Sequence, residues 1–494
     1  NKRKYKRIFI TLSVLFLVND NKRTREKKVY SLCFSQKGGL IDMKRKSYEI
    51  DMCHGPLFTK ILLFSIPLMI SSILQLLFNA TDMVVVGRFA GSTALAAVGA
   101  NASLINLLTN LFVGFSVGAN VLVARFYGAK KEREVSETVH SAIVLSLICG
   151  VGLMIFGIIV APQILIVMGT PEDVLSQAVL YIRIYFAGMP VILLYNFGSS
   201  ILRAVGDTQR PLYYLFAAGI INIILNLFFV IGFHLGVAGV ALATVISQVV
   251  SAFLIIRCMM RMEGSCQVEW KKLRLKREKV IQIVRIGLPA GLQGTVFSLS
   301  NVLIQSSVNS FGSVAMAGNT AASNIEGFIY MAMNAFHQTA LSFTSQNFGA
   351  GNYKRIGKVL IECLGLVTGV GLVMGWMAYL FGNQLLGIYS SDPKVIEVGL
   401  LRLSVICTTY CFCGIMDVMV GELRGLGYAV MPMIVSLLGA CGFRILWIFT
   451  VFQEYRSLWT LYISYPVSWF MTGVVHMICY VIIRKKQKQA DISI

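Results

Sequence analysis

Apolar residues in this chain come in long blocks separated by short polar stretches. A helix rises 1.5 Å per residue, so about twenty residues cross the hydrocarbon layer of a bilayer. Twelve blocks meet that length, near 60–87, 93–123, 135–161, 175–202, 211–232, 237–260, 281–310, 314–345, 356–381, 395–423, 430–452 and 458–483. The pattern predicts an all-α polytopic membrane protein with twelve transmembrane helices. The first block, with its continuation to Ala97, sets the theme: Pro67 stands near its start and a single carboxylate, Asp82, lies inside it. Gln75 and Asn79 precede Asp82 by seven and three positions, which puts the three polar groups on one helical face. Lipid offers such a stripe no hydrogen-bond partner, so it is expected to face protein or a water-filled cavity.

The first half of the pattern returns in the second. Leu288-Pro289 repeats Ile66-Pro67 and Asn301 repeats Asn79, both displaced by 222 positions. Gly312 to Ala317 repeats Gly91 to Ala96, and Phe348-Gly349-Ala350 echoes Tyr127-Gly128-Ala129, both at 221. Leu423-Arg424, Gly427 and Pro432 echo Leu202-Arg203, Gly206 and Pro211 at the same offset. A constant offset held over separated places marks a duplicated unit. The expected organisation is an upstream extension at 1–42, a six-helix lobe at 43–260, a polar linker at 261–279, a second six-helix lobe at 280–486 and a tail at 487–494. The extension reads as disordered, and Met43 as the functional start. An even number of spans returns the chain to its starting side, so the two units insert as parallel repeats about an axis along the membrane normal.

Composition changes the picture only in detail. The chain is 56% hydrophobic and 14% charged, with a mean hydropathy of +0.72. Its net charge of +21 comes from short basic clusters between apolar spans, which fits loops facing anionic headgroups and not a nucleic-acid surface. From Met43 onward, twenty-six Lys and Arg fall on the side of the linker and only Arg88, Lys394 and Arg456 on the other. That asymmetry predicts cytoplasmic termini and a cytoplasmic linker. The eleven cysteines include no C-x-x-C pair, and most lie within apolar spans, so neither a metal site nor a disulfide framework is expected.

Buried charges are the functional candidates, because each is costly at the membrane centre. Asp82 leads. Glu326, Tyr330, Asn334 and His337 form a second stripe along one face of the eighth span. Asn222 and Asn226 stack one turn apart on the fifth span, as do Thr244 and Gln248 on the sixth, and Asn301, Gln305 and Asn309 on the seventh. For the amides of the seventh span and Gln248, interhelical hydrogen bonding is the simpler role. Glu362, Asp417 and Glu422 have Arg402, Arg424 or Arg444 as available partners, and His337 reads as a hydrogen-bonded core histidine.

Three stretches resemble the multidrug and toxic compound extrusion (MATE) family of bacterial type: LQLLFNATDMVVVGRFAGSTALAAVGA, SNIEGFIYMAMNAFHQTALSFTSQNFGAGNYKRI and the GELRGLG turn. The resemblance covers Gly55 to the C-terminus. It implies two six-helix lobes around a V-shaped cleft, no catalytic residues and no cofactor. It also implies export of organic cations, drugs or metabolites driven by H⁺ or Na⁺. Carried over residue by residue, the family's membrane acid matches Asp82, its fifth-helix Asn-x-x-x-Asp pair matches Asn222 and Asn226, and its sixth-helix Thr matches Thr244. The pair has lost its carboxylate here, because Asn226 stands where the family has Asp. A lobe with one acid fits one-proton coupling better than a highly charged Na⁺ site, although amide oxygens at Asn222 and Asn226 also ligate Na⁺.

The expected protein is thus a monomeric antiporter of the bacterial cytoplasmic membrane, with a lipophilic or cationic small-molecule substrate and the bilayer as its partners. A lipid-linked sugar flippase of related fold needs a strongly cationic central cavity, and Arg183, Arg402 and Arg444 are the only mid-span arginines. An intramembrane enzyme needs clustered acids such as D-D-x-x-D or a His/Glu metal pair, and neither pattern occurs. The topology has a direct test. Cysteines placed at Gln267 and Asn383, in a background cleared of reactive thiols, are expected to label from opposite sides, Gln267 from the cytoplasm. Labelling from one side overturns the orientation and the parallel repeat together.

Overall fold

The structure, a computed structural model, describes residues 48–492. The proposed extension at 1–42 lies outside the described residues. Within them, nine helices are individually long and apolar enough to cross a membrane. They include the first span, Leu57–Phe89, the second, Ser92–Gly128, the third, Glu132–Val167, and the sixth, Gly236–Arg261. In the second half they include the seventh, Arg277–Asn309, the ninth, Tyr353–Leu380, and the twelfth, Leu458–Ile492. The last of these carries the expected tail on as helix. Many of the side chains that face outward on these spans are large and apolar, among them Ile159, Val373 and Val302, as lipid requires.

Two further spans are bent pairs. The fourth runs as Glu172–Ala187 and Met189–Ala204 with a 49° bend, and the tenth as Pro393–Thr409 and Cys411–Gly425 with a 46° bend. Gly188 and Pro190 explain the first bend, since proline has no N–H for the ladder and crowds the preceding turn. The tenth bends through a 3₁₀ turn at Cys407–Thr409, and Thr409 is the repeat equivalent of Gly188, 221 positions on. The fifth span, Gln209–Leu227, ends in a π-helical turn at Phe228–Gly232. The eleventh has its π turn in the middle, Leu437–Gly442 between Val430–Ser436 and Phe443–Phe449.

The eighth span, Ser313–Gly349, has the length of a membrane helix at 37 residues but is too polar to qualify on hydropathy. Its place in the fold accounts for this. Asn319, Glu326, His337, Ser342, Gln346 and Asn347 are all buried among protein, so this helix meets neighbours where other spans meet lipid.

The duplication is visible in the backbone. Gly91 and Gly312, which open the second and eighth spans, have φ of 92° and 91°, and Gly206 and Gly427 have φ of 100° and 97°. These are left-handed positions that glycine adopts without steric cost. A Cβ on Gly128 would lie 2.0 Å from the carbonyl oxygen of Gln346, and one on Gly349 would lie 1.9 Å from that of Arg125. Both pairs, 128/349 and 125/346, are 221 apart, so the contact maps onto itself when the halves are exchanged. A two-fold axis between the repeats demands that relation.

The two lobes are laced rather than merely abutted. Leu57, Ile61, Phe64 and Leu68, at the start of the first span, belong to the core of the second lobe, while Val85 and Val86 at its end belong to the first. The seventh span does the converse, with Ile283 and Ile286 in the first lobe's core and Ile304 and Val308 in the second's. Pro67 and Pro289 stand near the points where these helices change lobes.

The two seams that result differ in chemistry. Gly114 and Gly118 of the second span meet Gly287 and Gly291 of the seventh, two G-x-x-x-G faces pressed backbone to backbone. A Cβ on Gly114 would lie 2.3 Å from the Gly291 nitrogen, and one on Gly118 would lie 2.2 Å from the Ile283 oxygen. At the symmetry-related seam the equivalents are Ala335, Thr339, Ser65 and Met69. There a 2.7 Å hydrogen bond joins the Ser65 and Thr339 hydroxyls, and Phe64 packs edge-on against Phe343 at 5.4 Å.

The linker is also docked. The backbone N–H of Glu269 donates to His140 Nε2 at 3.1 Å, that of Lys276 donates to Ser141 Oγ at 3.2 Å, and Lys279 pairs with Glu134. Small residues at membrane helix interfaces permit close approach, and overpacking costs about 1–3 kcal/mol or more. Gly118→Leu is therefore expected to abolish monodisperse protein in detergent. Gly152→Leu, at a position with open space around it, should leave it unchanged, and Thr339→Val should lower the thermal midpoint by only a few degrees. Equal tolerance at 118 and 152 would show that the glycine seam is not a structural constraint.

Candidate functional site

In the first lobe, Asp82 is met by the fifth and sixth spans. Asn226 Nδ2 donates to Asp82 Oδ1 at 2.5 Å and Thr244 Oγ1 donates to Asp82 Oδ2 at 3.4 Å. Asn226 Nδ2 also lies 3.1 Å from Asn222 Oδ1, and Asn222 Nδ2 lies 3.5 Å from Thr244 Oγ1, which closes a ring of four side chains. Asn222 and Asn226 are buried and Asp82 is half-buried. No Lys, Arg or His pairs with Asp82 among the described residues. Asn226 Oδ1 is buried with no donor. Asn226 sits two residues before the π turn at 228–232, a wide turn of the kind that recurs at functional sites.

Gln75 and Asn79 do not join this ring. Both are exposed and make no side-chain hydrogen bond among the described residues. At 100° per residue they lie between Phe78 and Asp82 on one side and Leu76 on the other. The ring of Phe78 packs against the fifth span, where a Cβ on Gly219 would lie 1.9 Å from it, and Leu76 approaches Gly327 of the eighth span. Gln75 and Asn79 therefore present to the gap between the lobes, and Asp82's partners come from elsewhere in the chain.

In the second lobe, Glu326, Tyr330, Asn334 and His337 all line one cavity of about 720 Å³. Glu326 is ion-paired with Arg402 of the tenth span in a two-pronged contact, Nε to Oε1 and Nη2 to Oε2, each 2.7 Å. This corrects the expectation that Arg402 would serve Glu362, Asp417 or Glu422. Arg402 Nη1 donates to Asn319 Oδ1 at 2.7 Å, Tyr462 donates to the same oxygen at 3.3 Å, and Asn319 Nδ2 donates to Gln305 Oε1 at 2.8 Å. His337 Nδ1 donates to the Asp417 carbonyl at 2.7 Å. Asp417 and Arg424 line the same cavity, and Arg424 Nη2 donates to Gln293 at 2.8 Å. Glu422 lies apart, accepting from Thr344 at 2.5 Å. Glu362 Oε2 has no partner.

The MatE family model matches residues 67–228 and again 289–450. The chain belongs to the MatE family. The two matches start and end 222 residues apart, the same spacing as the internal repeat. Members are transporters, not enzymes, and this chain is a multi-pass efflux transporter of that family. It is 27% identical over 435 residues to the probable multidrug resistance protein YoeA of Bacillus subtilis, covering 86% of this chain and 94% of that one. It is 25% identical to the multidrug export protein MepA of Staphylococcus aureus, covering 83% of this chain and 91% of that one. Its fold superposes with a TM-score of 0.83 on the outward-facing conformation of a multidrug resistance MATE family transporter of the MOP superfamily, at 21% identity over 90% of this chain and all of the other. A point mutant of the Vibrio cholerae MATE transporter VcmN gives a TM-score of 0.82 at 20% identity, covering 87% of this chain and 97% of that one.

Within this MatE chain, sequence reasoning missed Asn319, which is buried and joins the seventh, tenth and twelfth spans. Its signal was available, a polar residue two turns before Glu326 on the same helix face, but amides are common in membrane helices. Breaking a buried pair from one side leaves an uncompensated charge, at a cost of about 3–5 kcal/mol. Glu326→Gln is expected to lower the thermal midpoint by about 3–5 °C, and Glu326→Gln with Arg402→Met to recover most of the loss. A single variant as stable as wild type would show that the pair is not needed to neutralise Arg402.

Proposed function

We propose that this MatE transporter is a cation-coupled antiporter, using H⁺ or Na⁺, that exports lipophilic small molecules, organic cations and metabolites among them, from the bacterial cytoplasm. The observation that carries the reading is Asp82, a carboxylate in a membrane helix with two neutral partners and, among the described residues, no counter-charge. Such a group is costly as a bare anion, so it is driven to take up a proton or a cation. Asp82, Asn222, Asn226 and Thr244 together offer oxygen ligands of the kind Na⁺ takes, and Asn226 Oδ1 has no donor to compete for it. Bound Na⁺ would supply the positive charge that the ring of side chains lacks. The proton serves the same balance with Asp82 neutral.

Coupling then runs through the first span. Its start is held in the second lobe's core and its end in the first's, with Pro67 near the change-over. Proline leaves one carbonyl of the preceding turn unpaired and makes that point the place to bend. Neutralising Asp82 releases Asn226 and Thr244, which lets the upper half of the span move while the lower half stays anchored. Cation and substrate then favour different positions of the span, and antiport requires such competition. The excess of basic residues in the loops on the linker's side supports cytoplasmic termini, and the reading is of a monomer with no nucleic-acid partner.

The test uses proteoliposomes with proton and sodium gradients imposed separately and ethidium as the probe. Asp82→Asn keeps the shape and hydrogen-bonding capacity of the side chain but does not titrate. It is expected to insert normally and to lose gradient-driven efflux at least tenfold. A variant with wild-type, gradient-dependent efflux would overturn the role of Asp82 and move the burden to Glu326.

A further inference from the structure

The ionisable groups around the second lobe's cavity do not balance. Glu326 is matched by Arg402, and Asp417 shares the wall with Arg424. Arg444, on the turn of helix that follows the π segment of the eleventh span, is left over. It is 3% exposed, and no carboxylate lies within ion-pair distance of it among the described residues. Its Nε donates to Ser468 Oγ at 2.8 Å. Its other two nitrogens have no acceptor among the described residues, and Nη2 is buried in that state. The guanidinium lies 4.2 Å from the ring centre of Tyr465 and 5.4 Å from that of Trp469. Ring faces stabilise a guanidinium from above and below, but they leave its N–H edge unpaired and its charge uncancelled. Arg444, Tyr465 and Trp469 all line the cavity, whose volume of about 720 Å³ lies in the range of small-molecule sites.

We propose that this cavity binds a ligand carrying an anionic group, a carboxylate, phosphate or sulfonate, held by the free edge of Arg444, with its apolar body against Tyr465 and Trp469. The proposal rests on the exporter reading and adds anion-bearing amphiphiles to the lipophilic molecules named there. A buried guanidinium with two idle nitrogens recovers its lost solvation when an oxyanion arrives, and the fork of donors matches oxyanion geometry. Sequence spacing hid the site, because Arg402 and Arg424 lie a bent span's length apart on the tenth span and Arg444 lies on the eleventh, and only the fold brings them to one wall. An anionic lipid headgroup and a soluble anion share this chemistry, and the experiment separates them.

The full chain is placed in phosphatidylcholine nanodiscs with no ion gradient. Binding of dansylglycine, an aromatic carboxylate, and of its uncharged methyl ester is read by energy transfer from tryptophan. The acid is expected to bind at least tenfold tighter than the ester. Arg444→Gln, checked for monodispersity, is expected to bring the acid to the ester's affinity, while Arg444→Lys, which keeps the charge, retains at least a third of the wild-type affinity. Displacement of the probe by phosphatidylglycerol in the disc supports a lipid headgroup as occupant. Displacement by soluble benzenesulfonate alone supports a soluble anion. Equal affinity of the wild type for acid and ester overturns the proposal without any variant, and so does an undiminished preference in Arg444→Gln. Because no gradient is applied, either result stands apart from the Asp82 test of coupling.

Discussion

The contact on which the rest of this structure depends is the one between four glycines. Gly114 and Gly118 let the second span lie against Gly287 and Gly291 of the seventh with no side chain between the backbones. Nothing at that seam can slide without opening a gap, because membrane helices associate through close packing and gain nothing from burying apolar surface away from lipid. The related seam carries a Ser–Thr hydrogen bond and an aromatic pair, which separate at modest cost. Symmetry in sequence thus ends as asymmetry in mechanics, one side of the lobe interface rigid and the other releasable.

That asymmetry gives meaning to the lacing of the lobes. A helix anchored in one core at its start and in the other at its end transmits any change at its middle to both. The first span carries the unpaired carboxylate of the first lobe, and its start lies on the releasable seam. The seventh span, its counterpart, carries no acid beyond its first turn and is clamped by glycine. The proposed coupling group and the more easily separated seam therefore fall on the same helix, and the glycine seam falls on its twin.

The two lobes are also complementary in charge. The first holds a carboxylate without a cation, and the second an arginine without a carboxylate. Each imbalance is costly in a low-dielectric interior, and each would be relieved by a charge of opposite sign from outside the chain, as proposed above. The pair formed by Glu326 and Arg402 is the contrasting case. It is complete, two-pronged and tied by Asn319 to neighbouring helices, and so it reads as a strut.

The sequence alone determined what depends on length, period and repetition. Apolar blocks long enough to span, a 221–222 residue echo and charge counted by loop are one-dimensional properties. The helices and the duplication follow from them, and the family from the resemblance of three motif stretches. Helical spacing also put Glu326, Tyr330, Asn334 and His337 on one face, and they share one cavity. What periodicity cannot carry is which neighbour a face meets. Gln75 and Asn79 share a stripe with Asp82, yet Asp82's partners, Asn226 and Thr244, lie 144 and 162 residues away. The choice of Arg402 for Glu326, the buried junction at Asn319, the bend in the tenth span and the exchange of helix starts between lobes were likewise decided by tertiary packing. The reason is physical. A polar side chain in a membrane must find a partner, but many are chemically acceptable, and only the three-dimensional arrangement of backbones determines which one lies within hydrogen-bond reach.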